Sequence, residues 1–398
     1  MKQSAGAVGV CLGLAGGLLV VALARLGDYP ADAGPAVAAL AHGSVRGAAA
    51  VPILMGPLSI WIRAPFAWAA HMVGAGELGV YRAGVVPCVV AALALGVVLA
   101  RRSRMPEWAP LVAALAVLTP ASVAAAANGH PEELLAGVLC VAAVLLALGR
   151  RATWAGLALG LAIATKQWAL IAVVPTLLAA PAASRARVAV VGAVSTLVVY
   201  LPFVALGPHA FLVATRGEAH VESASTSETI WLFAARDRRL HVAGSPTLTY
   251  HAIAGWVPPL SHALIVLAAL PFAVVLWRRR IAATQVLALL ALLFLLRCAL
   301  DPVDQDYFHA PFVLALLATE VAAGVFPALT LFAVAGLWLS FGVLHGAADP
   351  WVSALVYLGW SGIVGAALAA RVFGVELRRR IGVTSQLEAT LGLRTPSP

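Results

Sequence analysis

Long apolar runs bounded by arginine leave this chain few folds to choose from. Val80 to Ala100 is one such run and ends in Arg101, Arg102 and Arg104; Glu133 to Gly149 is another and ends in Arg150 and Arg151. A run of about 20 apolar residues crosses the hydrocarbon of a bilayer as a helix. Barrel strands would instead alternate apolar and polar at every second residue, and these runs do not. Hydrophobic residues make up 62% of the 398 and charged residues 11%, a balance that no water-soluble domain of this size carries. The sequence therefore predicts an all-α, polytopic membrane protein.

Arginine clusters set the threading. Besides the two above, they stand at Arg185–Arg187, Arg278–Arg280 and Arg378–Arg380, and such clusters mark cytoplasmic loops. The same pattern makes the net charge of +9 a topology signal. No basic face interleaved with aromatics is present, so nucleic acid is not an expected partner. About twelve spans are expected, at about 5–24, 80–100, 108–126, 133–149, 188–206, 259–277, 281–299, 308–325, 328–345 and 351–371, plus a pair within 152–181. Lys2 and Ala22-Leu23-Ala24 resemble a cleavable signal, but charge counting needs the first run retained as a span. Residues 1–377 then form one transmembrane domain, and 378–398 an Arg-rich cytoplasmic tail. Both termini are expected in the cytoplasm of a cell whose inner membrane holds the chain. Two large external segments follow: 26–79, with short interfacial helices at 34–43 and 57–75, and 207–258.

The stretch 152–181 lies between two cytoplasmic arginine clusters and is too short for two full spans. A hairpin of short helices turning near Thr165–Gln167 satisfies both constraints. Its tip carries Lys166, one of only two lysines in the chain. An ammonium below the interface marks a site for an anionic ligand; the alternative is a lysine that snorkels to the headgroups.

Polar residues collect on the external side. They include Asp28 and Asp32 after the first span, Arg63, and His130, Glu132 and Glu133 in "NGHPEE". The stretch "RCALDPVDQDYFH" adds Arg297, Asp301, Asp304, Asp306, Tyr307 and His309. Plainer roles exist for several: Asp28 and Asp32 as helix caps, the glutamates as a helix start, and Arg297 as a partner of Asp301. Cys11, Cys88, Cys140 and Cys298 show no CxxC or Cys/His spacing and read as buried hydrophobes. Neither a metal nor a cofactor is expected.

Three segments carry a resemblance. "RATWAGLALGLAIATKQWALIAVVP" resembles the lysine-bearing hairpin of bacterial membrane glycosyltransferases of the GT-C superfamily, including glycosyltransferase family 87 and its mannosyltransferase-like actinobacterial members. "NGHPEELLAGVLCVAAVLLA" is similar to the span preceding that hairpin. "DYPADAGPAVAALAHG" and "MGPLSIWIRAPF" are similar to the first external loop, which here has "VPILMGP" where a "YPP" run is usual. The resemblance covers most of residues 1–310. It implies a polyprenyl-phosphate sugar donor, an envelope glycolipid or glycan acceptor, membrane lipid around the chain, and inverting transfer at the extracytoplasmic face. It implies a first-loop aspartate as general base, Asp28 or Asp32. Lys166, Arg297 and His309 would hold the donor phosphate, and His130, Glu132, Asp301, Asp306 and Tyr307 would line the substrate site. A transporter or lipid flippase, or a non-catalytic subunit that binds a lipid-linked sugar, stands as the alternative. No internal repeat of the kind common in transporters is visible.

Overall fold

The computed structural model describes residues 2–220, 224–240, 248–279 and 281–374. The tail expected at 378–398, and Arg280, lie outside them. Helices α1 (Lys2–Ala22), α2 (Gly34–Ala41), α3 (Val45–Ala49), α4 (Pro57–Met72) and α5 (Glu77–Arg102) open the chain. They continue with α6 (Ala109–Leu115), α7 (Pro120–Ala127), α8 (Glu132–Leu148), α9 (Ala152–Thr165), α10 (Val173–Ala179), α11 (Arg185–Leu206) and α12 (Pro208–His220). The second half holds α13 (Val257–Leu267), α14 (Ala269–Leu276), α15 (Ala283–Leu300), α16 (Ala310–Ala323), α17 (Ala328–Leu337) and α18 (Pro350–Val372). Among the described residues, six helical stretches are long and apolar enough to cross a membrane: Glu77–Arg102, Pro106–Ala127, Ala182–Leu206, Val257–Leu276, Ala283–Leu300 and Pro350–Val372. The protein is a multi-pass membrane protein.

The expectation of a purely helical chain is corrected in the second large segment. There β1 (Ala224–Ser225), β2 (Arg236–Leu240) and β3 (Leu248–Ala252) form a small antiparallel sheet in the order β1-β3-β2. Asp237 pairs with His251 across β2 and β3. "LTYHA" is rich in residues that suit a pleated surface. Such a sheet leaves edge groups unpaired, so it belongs outside the hydrocarbon.

Small residues let backbones meet where the site is built. In α9, Gly156 and Gly160 face α11 so closely that a Cβ at Gly160 would lie 2.3 Å from the carbonyl oxygen of Gly192. Close backbone approach is how helices associate in lipid, where no hydrophobic force separates side chain from solvent. The end of α9 is a second contact. Lys166 is extended (φ −151°, ψ 132°), which stops the helix, and a 3₁₀ segment, Gln167–Ala172, turns the chain into α10. Gly56 of the first loop donates its N–H to the carbonyl of Thr165 at 2.9 Å. A Cβ on Gly56 would meet the Ala164 carbonyl oxygen at 2.1 Å. The first loop is thereby locked onto the hairpin tip.

Three other segments end at the same place. Gly27 has a φ of +55° and packs on the backbone of Asn128, whose carbonyl accepts from the Asp28 N–H at 3.0 Å. Gly129, at φ +97°, lets the "NGH" turn pass under Asp28 and Tyr29. The end of α15 and the start of α16 close the ring through Tyr307. At the other end, the Arg185 guanidinium donates to the Trp277 carbonyl at 3.1 Å and lies 4.2 Å from its ring, so the start of α11 lies against the end of α14.

Replacing Gly56 by valine sets a side chain against backbone that cannot yield. The expected outcome is a loss of about 2 kcal/mol or more of stability, together with looser protection of the 164–167 turn. Thermal melting in detergent and hydrogen exchange over that turn check it.

Candidate active site

Two adjacent glutamates organise the cluster where these segments meet. Glu132 and Glu133 open α8, where the helix dipole favours carboxylates, and both are fully buried. Glu132 faces an imidazole and two cations: Oε1 lies 3.1 Å from Nδ1 of His130 and 3.3 Å from Nζ of Lys166, and Oε2 lies 3.5 Å from Nη1 of Arg63. Glu133 faces Lys166 at 3.4 Å and Arg297 at 3.5 Å, and accepts from the Trp168 indole N–H at 3.2 Å.

Aromatic faces complete the shells of the two arginines. Arg63 sits 4.9 Å from the Tyr29 ring and 5.7 Å from the Tyr81 ring, and the Tyr81 hydroxyl donates to the carbonyl of Ala126. Arg297 lies 4.3 Å from the Phe308 ring and 4.6 Å from Trp168, and donates to the Phe308 carbonyl at 3.2 Å. A guanidinium stacks on such faces more readily than an ammonium, because it is planar and weakly hydrated.

His130 connects this buried core to the first loop. Its Nε2 is 3.3 Å from Oδ2 of Asp28 and 3.9 Å from Oδ2 of Asp32, and its ring stacks on Tyr307 at 4.6 Å. Asp28 is open to solvent, its side chain 66% exposed; Asp32 is deeper, at 20%. The result is one continuous chain of charges: Asp28 and Asp32, His130, Glu132, Lys166, Glu133, Arg297. Burial is the strongest influence on His130 and opposes its charge, but the hydrogen bond and charge of Glu132 outweigh it and raise its pKa. Burial pushes the Asp32 carboxyl above the usual range, against the pull of His130 and Lys166.

The structure brings together Asp28, Asp32, His130, Glu132, Lys166, Arg297 and Tyr307 from the sequence reading. Lys166 does not snorkel: its side chain is 11% exposed and faces two carboxylates. Arg297 pairs with Glu133, not with Asp301. Asp301 accepts from the Val303 N–H at 3.0 Å and Asp306 from the Tyr307 N–H at 2.8 Å, so both shape the 301–307 turn locally. His309 is fully buried away from the cluster, between Gln305 and Tyr357. Reading the sequence for donor and substrate residues missed Glu133, Arg63 and Trp168. A signal for Arg63 exists: it is the one formal charge in the apolar helix α4.

The family model for glycosyltransferase family 87 matches residues 54–302, well over half of the chain. The chain belongs to glycosyltransferase family 87. It is a membrane glycosyltransferase, and the matched region contains Arg63, His130, Glu132, Glu133, Lys166 and Arg297 but neither Asp28 nor Asp32. The solved structure of ArnT from Cupriavidus metallidurans bound to undecaprenyl phosphate is similar over 99% of this chain and 82% of that one, at 15% identity and a TM-score of 0.50. ArnT in the apo state is similar over 100% and 82%, at 15% identity and a TM-score of 0.49. At such identity the bound form shows a shared fold. No curated protein matches the chain.

Two predictions follow from the charge network of this family 87 enzyme. Removing one partner of a buried ion pair strands the other. Lys166→Met is therefore expected to cost roughly 3 kcal/mol, read as a lower melting temperature in detergent. The second concerns pH. A histidine whose pKa is raised by folding stabilises fully below its unfolded value, about 6.5, and that stabilisation is lost as pH rises through the higher folded value. Wild-type melting temperature should fall as pH rises above about 6.5, and His130→Gln should flatten that slope.

Proposed function

We propose that this glycosyltransferase moves a sugar, mannose-like in the resemblance noted above, from a polyprenyl-phosphate donor to an envelope glycolipid or glycan, with inversion, at the extracytoplasmic face of the inner membrane. The observation that carries the reading is the line of charges from the solvent-open Asp28 to the buried Arg297. Undecaprenyl phosphate bound to the similar ArnT structure supports the donor class.

The chemistry follows from the residues. A sugar hydroxyl is a weak nucleophile and needs a base within hydrogen-bond reach. Asp32 suits that role better than Asp28. It is less exposed, it faces the same imidazole, and burial raises its pKa, which suits a base. Asp28 then holds His130 from the solvent side. The hydroxyl oxygen attacks the anomeric carbon, its proton passes to Asp32, and the C–O bond to phosphate breaks on the opposite face. One displacement inverts the anomeric centre.

The leaving phosphate gains negative charge as that bond breaks. Four carboxylates (Asp28, Asp32, Glu132, Glu133) stand against three fixed cations (Arg63, Lys166, Arg297) and His130. With His130 protonated the set is balanced. Once Asp32 takes the proton, the set carries one excess positive charge at the moment the phosphate needs it. Preorganised charge of this kind acts most strongly where water is excluded. In this reading Lys166, Arg297 and His130 serve the donor phosphate, and Glu132 and Tyr307 hold His130.

Membranes expressing the protein, supplied with a panel of labelled polyprenyl-phosphate sugars, test the reading. Asp32→Asn is expected to lower kcat by at least 100-fold, with Asp28→Asn milder and Lys166→Arg retaining donor binding. Equal loss in both aspartate variants would reassign the base. Transfer from no donor, with labelled lipid still bound, would make the chain a binding subunit.

A further inference from the structure

Behind the active site, α15, the 301–309 turn and α18 enclose a second group of polar side chains. Sγ of Cys298, a carboxylate oxygen of Asp304 and an imidazole nitrogen of His309 lie within 4.8 Å of one another. All three residues are buried, none more than 1% exposed. Neither carboxylate oxygen of Asp304 makes a hydrogen bond of ordinary length and angle; the Tyr357 hydroxyl is the side-chain donor that approaches it. The nearest cationic or imidazole group is Nε2 of His309, 3.5 Å from Oδ2. A desolvated carboxylate left in that state is costly unless a proton or a cation neutralises it.

The histidine is already oriented for that task. Its Nδ1 sits 3.2 Å from the Gln305 carbonyl, so Nδ1 carries the proton and donates. The lone pair is then on Nε2, which faces Asp304 and, at 3.0 Å, the Tyr357 hydroxyl. An imidazole N–H anchored on a backbone carbonyl is the usual support of a metal-bound histidine. The Cys298 thiol makes only a weak contact, 3.4 Å from the Phe308 carbonyl. Soft sulfur, imidazole and carboxylate together suit a borderline divalent ion.

We infer that Cys298, Asp304 and His309 form a binding site for one zinc ion, with the Tyr357 hydroxyl or a water as fourth ligand. On binding, the Zn–S bond forms as the Cys298 thiol releases its proton to solvent; thiolate and carboxylate together cancel the two positive charges. No electron moves. The ion staples the turn 301–309 between α15 and α18. That turn carries Tyr307, which stacks on His130, and Phe308, whose carbonyl holds Arg297. The role is structural: the ion fixes the wall of the active site without touching the sugar. It also accounts for His309 lying away from the charge network.

The purified full-length protein, equilibrated with zinc in detergent and then desalted, tests the inference. Elemental analysis should find about one zinc per chain. Cys298→Ser and Asp304→Asn should each weaken zinc retention at least tenfold. X-ray absorption at the zinc edge should show one sulfur near 2.3 Å among nitrogen and oxygen ligands. That spectrum is read on the wild type, so misfolding of a variant does not blunt it. Wild-type protein that retains no zinc, or zinc whose shell contains no sulfur, overturns the proposal.

Discussion

The rest of the molecule is arranged around a pair of carboxylates buried at the start of α8. Charge taken out of water must be matched within a few ångströms or it will not stay charged. Glu132 and Glu133 therefore need cations, and each cation comes from a different part of the chain. Arg63 arrives on α4, Lys166 on the hairpin tip, Arg297 on α15. Matching two acids thus fixes the mutual positions of the first loop, the hairpin and a helix of the second half.

The short hairpin follows from the same requirement. A full-length span would carry Lys166 into the headgroup layer, where water would satisfy it. The extended conformation of Lys166 ends α9 early, and the backbone contact from Gly56 holds the turn in place. The lysine is kept at the depth of the glutamates. Arginine at this position would bring a longer, planar fork with fixed donor directions; a compact ammonium fits between two carboxylates. That is a physical account of why a chain that otherwise uses arginine places a lysine here.

The charge network also joins a wet end to a dry end. Asp28 is exposed, while Glu132 and Glu133 are closed to solvent. His130 stands between them, and an imidazole is the side chain whose ordinary pKa lies closest to neutral. Burial opposes its charge and Glu132 outweighs that opposition, and its ring is held flat by Tyr307. The turn bearing Tyr307 is in turn shaped by Asp301, Asp306 and the group around His309.

Much of this architecture is legible in the amino-acid sequence, for a simple reason. Membrane insertion depends on apolar length and on the side to which arginines fall, and both are local. The runs ending at Arg101 and Arg150, two of the three helices of the first loop and the break at Lys166 can all be read residue by residue. Pairing is not local. The sequence places Arg297 four residues before Asp301 and suggests they meet; only the packing of α15 against α8 shows Glu133 as the partner. It offers Asp28 and Asp32 as equal candidates for the base, His309 for the donor phosphate and Asp306 for the substrate, because polarity alone carries no depth. Tertiary structure separates them by exposure: Asp28 open, Asp32 half covered, Asp306 spent on its own turn, His309 sealed beside Cys298. The sequence determined which side chains would be charged within an apolar chain. The fold decided which of them would be left without water, and so which had to find one another.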